Sequence, residues 1–230
     1  LAGYGGSLAW LGVAWFSRYL PSVTPVAAVG RLTLRQRFGL DALALLRVRE
    51  HRVVFVSAAL FAMPLAAFYA CTPPHLKELG LRHTSGWMTL GQVTEMGAMF
   101  ALAALLAAWR FKVIFAAGLV AGLVRYVLCA MDGAGWVLAG VFLHGLAFTL
   151  CFITAQIYLD QHVEPAWRAR AQALMTMLNS GVGNLVGYLG SGWWLEYCRR
   201  PDGTRWSLFW GGLAVPIVLV IVYFLASYRE

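Results

Sequence analysis

The run GWMTLGQVTEMGAMFALAALLAA, residues 86–108, constrains this chain more than any other feature, because an apolar stretch of that length leaves few folds open. About 20 consecutive apolar residues are what a helix needs to cross a bilayer core. Seven such runs are legible, at roughly 3–17, 53–72, 86–108, 113–131, 136–159, 171–195 and 206–227. Lipid offers the backbone no hydrogen bonds, so each segment must satisfy its own, and runs this long do so as helices; barrel strands would be shorter and alternating. The expected fold is an all-α membrane bundle. Composition agrees: of 230 residues, 60% are hydrophobic and 12% charged, with a mean hydropathy of +0.69. Soluble domains are nearer half apolar and a quarter charged.

The net charge of +8 raises the possibility of nucleic acid, and the placement of the basic residues argues against it. With alternate loops assigned to one side, twelve fall together: Arg18, Arg31, Arg35, Arg37, Arg47, Arg49, Arg52, Arg110, Lys112, Arg168, Arg170 and Arg229. Five lie opposite, Lys77, Arg82, Arg199, Arg200 and Arg205, and Arg125 lies inside a span. Short cytoplasmic loops accumulate Lys and Arg, so the twelve mark the inner side and the C-terminus is expected in the cytoplasm. The expected partner of this surface is the lipid bilayer, with no nucleic acid. Trp87, Trp136, Trp193, Trp194 and Trp206 at outer span ends and Trp109 at an inner one read as interfacial anchors. Cys71, Cys129, Cys151 and Cys198 show no CxxC spacing and read as small packing residues, with no metal and no cofactor implied.

The chain begins at Leu1 without Met or a charged leader, so its first run reads as the tail of a longer helix and the chain as a piece lacking an N-terminal part. Residues 18–52 follow as a basic cytoplasmic linker in which Leu40, Leu43 and Leu46 recur at helical spacing, the pattern of an amphipathic helix on the membrane surface. Residues 53–230 hold the other six spans. The loops between them are short. In the sixth span, Gly183, Gly187 and Gly190 present a nearly side-chain-free face for close helix contact. A dinucleotide loop would need a preceding strand, which is not expected here.

Within the spans, the notable polar side chains are Gln92, Glu95, Arg125, His144, Gln156 and Asn184. An ionisable group at membrane depth costs about 3 kcal/mol or more and usually faces the bundle interior or a water-filled cavity. Gln92 and Glu95 share a helix face. By helical rise, Glu95 lies roughly 13 Å, His144 roughly 12 Å and Arg125 roughly 9 Å from the outer ends of their spans. The three are expected to converge at one level. Two readings stay open at this point: Glu95 and Arg125 as a structural ion pair with His144 bonded to backbone, or a solute pathway in which Glu95, balanced between burial and the Arg125 guanidinium, takes up and releases a proton. Asp160, Arg168 and Arg170 in DQHVEPAWRARAQ read as a gating contact or a solvated basic loop. No DDxxD-type cluster, HExxH, GxSxG or P-loop occurs, and no second carboxylate shares the depth of Glu95, so an enzyme is not expected.

GLRHTSGWMTLGQVTEMGAMF, LHGLAF, QIYLD and RARAQALMTMLNSGVGNLVG, with the linker RQRFGLDALALLR, resemble the C-terminal half of bacterial proton-linked nucleoside symporters of the major facilitator superfamily. The resemblance covers most of the chain. It implies the end of transmembrane helix six (residues 1–17) followed by a C-terminal six-helix bundle, in a twelve-helix transporter of the bacterial inner membrane whose N-terminal six-helix half is missing here. It also implies that Gln92, Glu95 and Phe148 contact the substrate, with protons as the coupled ion. The acidic residue that follows the aromatic in this family is Thr149 here. Polar positions on the first helix of the half fall in the apolar stretch Leu65 to Tyr69, with Tyr69 the nearest polar candidate. The expected substrate residues are therefore Gln92, Glu95, Phe148, Tyr69 and His144, and the expected coupling residues Glu95 and Arg125. The alternatives are a major facilitator permease for an unrelated small solute and a transport-inactive membrane receptor.

Overall fold

The computed structural model describes residues 2–21 and 39–229, and the chain divides into two units, 1–38 and 39–230. The first unit contains helix α1, Ala2–Phe16, which ends in a 3-10 turn at Ser17–Tyr19. Its 15 residues are short of a full membrane crossing. Residues 22–38, which carry much of the expected amphipathic linker, lie outside the described residues.

The second unit opens with a correction. Leu40–Arg47 is a 3-10 helix, begun by Gly39 at φ +65° and ended by extended Val48, where an α-helix on the membrane surface was expected. Tertiary contact accounts for the difference. Ala42 is buried, and Asp41 Oδ2 pairs with Arg170 Nη1 at 3.2 Å, so the bundle shapes a segment too short to hold its own α-helix.

Six helical passes follow among the described residues. They are α2 (Arg49–Glu78), α3 (Thr84–Ala108), α4 (Phe111–Ala130), α5 continued by α6 (Ala134–Phe148 and Thr154–His162), α7 continued by α8 (Arg168–Thr176 and Asn184–Cys198), and α9 (Trp206–Ser227). Two passes contain π-helical segments, Thr149–Ile153 between α5 and α6 and Met177–Gly183 between α7 and α8. Among the described residues five helices are long and apolar enough to cross a membrane: α2, α3, α4, the α5–α6 run and α9. The sixth expected span is the α7–α8 run, which is not among the five. Asn179, Ser180, Asn184 and repeated glycines dilute its hydropathy.

Helix α4 packs along α5 and α9, α3 along α5, and α2 against α8 and α9. The core is aromatic, with Phe61, Phe68, Phe115, Tyr126, Phe209, Trp210 and Phe224 fully buried. Of the glycine face, Gly187 fits against the Met63 carbonyl and Ala66 so tightly that a Cβ would collide there, whereas Gly190 faces open space. All four cysteines are free and buried.

The two ends of the bundle are tied differently. At one, Lys112 Nζ donates to Tyr228 O at 3.0 Å, joining the first turn of α4 to the C-terminal end, and Asp41 meets Arg170. At the other, buried His75 accepts from Trp210 Nε1 on Nδ1 at 2.9 Å, so its Nε2–H donates to Asp132 Oδ1 at 2.8 Å. Trp206 stacks on His75 at 4.5 Å, and its Nε1 donates to Glu78 Oε2 at 2.7 Å. Trp206 is thus a buried clamp between α2 and α9, not the interfacial anchor expected of it. Trp87, Trp109, Trp136 and Trp193 remain exposed.

Candidate functional site

Helices α3 and α5 meet where Glu95 sits. A Cβ on Gly145 would collide with Glu95 N, Thr94 Oγ1 and Gly91 O, so only glycine permits this approach. Thr94 Oγ1 donates across the contact to Phe142 O at 2.7 Å, and Gly91 faces the His144 ring. Close backbone packing therefore sets Glu95 beside His144, with Gln92 one turn away on the same face. The resulting cleft holds about 280 Å³ and is lined by Tyr69, Pro73, Ser85, Met88, Gln92, Glu95 and His144. Four expected substrate residues, Tyr69, Gln92, Glu95 and His144, are brought together in it.

His144 is engaged at both ring nitrogens. Arg125 Nη1 lies 2.8 Å from Nδ1, and Tyr69 Oη lies 2.9 Å from Nε2. A guanidinium only donates, so Nδ1 accepts and the ring proton resides on Nε2, which donates to the Tyr69 oxygen. The Tyr69 O–H remains available to donate elsewhere. Tyr69 is 45% exposed, whereas Arg125 is 0% and His144 3% exposed, so the chain Arg125, His144, Tyr69 runs from the core to the cleft. Phe68 stacks on His144 with centroids 5.0 Å apart and also meets the Arg125 guanidinium, 4.5 Å from the Phe68 ring; Tyr126 lies 4.6 Å from that guanidinium.

Two expectations are corrected here. No ion pair joins Arg125 to Glu95 among the described residues. Arg125 projects from α4 behind α5 and reaches the far nitrogen of His144, held by aromatic faces that attract a cation. His144, in turn, bonds two side chains rather than backbone.

A second cleft of about 250 Å³ adjoins Tyr69 and includes Leu65, Phe148, Phe152, Gln156, Thr176, Asn179, Ser180 and Asn184. Phe148 lines this cleft, and not the one that holds Gln92 and Glu95. Thr149, at the position where an acidic residue was expected from the resemblance, is fully buried, and its Oγ1 lies 3.4 Å from the Glu95 carbonyl oxygen. Thr176, Asn179 and Ser180 were missed from sequence. Their recurrence with Asn184 at three- and four-residue steps was the available signal, hidden by reading that span for its glycines.

The expected gating trio is only partly assembled. Arg168 Nε stands 3.8 Å from Asp160 Oδ1, with both side chains well exposed, while Arg170 pairs with Asp41 instead of Asp160. Helix α7 points Arg170 toward the Leu40–Arg47 segment, and its guanidinium also lies 4.9 Å from the Trp167 ring. Among the described residues no group of three or more His, Cys, Asp or Glu is placed to hold a metal ion.

A family model described as nucleoside H+ symporter matches residues 5–230. YegT of Escherichia coli (strain K12) is 35% identical, over 98% of this chain and 55% of its own length. Xanthosine permease of the same organism is 24% identical, over 96% of this chain and 57% of its own length. A crystal structure of a mutant of the nucleoside transporter NupG superposes with a TM-score of 0.80 at 22% identity, covering 98% of this chain and 60% of that one. At that identity the superposition establishes the fold, and the chain spans just over half the length of the curated relatives it matches.

Proposed function

The chain belongs to the nucleoside H+ symporter family, and on that footing we propose that the full-length protein is a proton-coupled symporter of nucleosides or related small polar solutes. The observation that carries this reading is Glu95 beside Gln92 in a cleft that the Tyr69 hydroxyl also lines. A carboxylate at membrane depth with no fixed cation beside it is suited to exchanging a proton. Gln92 and Tyr69 supply neutral hydrogen bonds to an uncharged solute. The names of the matched xanthosine permease and NupG support the nucleoside class.

In this reading the other half of the protein supplies the facing wall of the cleft, and the protein lies in the bacterial inner membrane with its C-terminus in the cytoplasm. The twelve-to-five division of basic residues supports that orientation, as does the contact between Lys112 and Tyr228, which puts the C-terminal end beside a basic loop. Arg125 contributes to coupling through His144, without touching Glu95. The cytoplasmic gate consists of Asp160 with Arg168, while Arg170 ties the gate loop to Asp41. The test is uptake of a radiolabelled nucleoside panel by cells making the full-length protein, with and without a protonophore. Accumulation that collapses with the protonophore is expected, and no accumulation of any nucleoside would refute the reading.

A further inference from the structure

We infer that the second cleft is the subsite for a flat heterocyclic ring, with Asn179 and Gln156 reading the ring edge while the hydroxyl-bearing part of the same solute lies against Gln92 and Glu95. This rests on the nucleoside reading above and adds to it where the ring sits and what selects it.

Four observations converge. First, Tyr69 lines both clefts, so a solute with two chemically different halves can occupy both at once. Second, the halves differ in chemistry. One cleft carries Glu95, an acceptor suited to sugar hydroxyls; the other carries carboxamides and hydroxyls and no acidic or basic side chain. A carboxamide offers one acceptor and two donors, which matches a ring edge where a carbonyl or ring nitrogen adjoins an N–H.

Third, the carboxamides are not consumed internally. Asn179 Oδ1 is buried without a partner among the described residues, an arrangement that calls for a donor from elsewhere. Gln156 is engaged through its backbone carbonyl, which accepts from Gln172 Nε2 at 2.8 Å. Fourth, both π-helical segments border this cleft: Phe152 lies in one, and Asn179 and Ser180 lie in the other. A π segment shifts side-chain register within a helix and is common at functional sites. Phe148 forms an aromatic wall, tilted against Phe152 at 5.2 Å, and aromatic rings stack on any nucleobase because every base has a π face.

The experiment exploits two nucleosides that differ by one amino group. Guanosine presents two adjacent donors on its ring edge, whereas inosine presents one donor beside an acceptor. A carboxylate accepts from both guanosine donors but finds only one donor on inosine, since the two rings carry the same carbonyl and differ only in the amino group. In the full-length protein, Asn179→Asp and, separately, Gln156→Glu are assayed by competition of guanosine and inosine against uptake of a nucleoside that the wild type accumulates. At least one variant should raise the guanosine-to-inosine preference about tenfold, the scale of one hydrogen bond gained or lost. The matching change in the other cleft, Gln92→Glu, should leave the preference unchanged. Loss for both competitors alike in both edge variants, or a shift produced by Gln92→Glu alone, overturns the subsite while leaving the symporter reading intact. A wild type that accumulates no nucleoside overturns both.

Discussion

Arg125 donates to His144 Nδ1 at 2.8 Å within the buried core, and that single bond decides which hydrogen-bonding face the cleft presents. With Nδ1 committed as an acceptor, His144 gives its proton to the Tyr69 oxygen, which leaves the Tyr69 O–H free to donate toward a solute. Replacing Tyr69 with Phe removes that donor and keeps the ring. Apparent affinity for the transported nucleoside should fall about tenfold at unchanged protein level, the worth of one net hydrogen bond. Unaltered affinity would show that the hydroxyl does not meet the solute.

Arg125 itself should matter first to stability. Its removal forfeits cation–π contact with Phe68 and Tyr126 and leaves His144 Nδ1 buried without its donor. Arg125→Leu is expected to cost about 3 kcal/mol, read as a lower melting temperature of the detergent-solubilised full-length protein. Arg125→Gln, which restores a donor, should recover part of the loss. A Leu variant as stable as wild type would contradict the packing described here.

Glu95→Gln should abolish proton-driven accumulation while leaving solute exchange measurable. Because Arg125 bonds His144 and not Glu95, adding Arg125→Gln to this variant should restore nothing. Accumulation that keeps its normal pH dependence in the single variant would exclude Glu95 as the coupling group.

Gly145 tests the helix contact that builds the cleft. A Val there must displace the backbone at Glu95, and overpacking of this kind costs about 1–3 kcal/mol. Reduced melting temperature and lost uptake are expected for Gly145→Val. Gly190→Val, which faces open space, serves as the control and should retain both.

Orientation is open to direct labelling. Ala166 and Asp202 are both exposed, on loops at opposite ends of the bundle. In intact cells an impermeant thiol reagent should label Asp202→Cys and spare Ala166→Cys. The reverse pattern would invert the topology.

Much of this protein was legible along the chain because its solvent is lipid. Runs such as residues 86–108 must be helical wherever the bilayer withholds hydrogen bonds, so the bundle follows from run length without any knowledge of contacts. The exposed tryptophans and the parity of the loops followed from the same one-dimensional logic. The depth of Glu95, His144 and Arg125 was also countable, since helical rise is constant. What counting could not supply was rotation about each helix axis and the order of helices around the bundle, and these decide which polar groups meet. Glu95 and Arg125 were expected at one level, yet His144 takes the guanidinium, because Gly145 lets α3 close on α5 while Arg125 reaches the His144 ring from α4. Likewise the π segments, which change side-chain register partway along a helix, placed Asn179 in a cleft that a regular 3.6-residue period read for glycines had passed over. Sequence determined the spans and their depth through local backbone energetics; tertiary packing alone decided the partners, because side-chain pairing depends on distances between segments that the chain order does not encode.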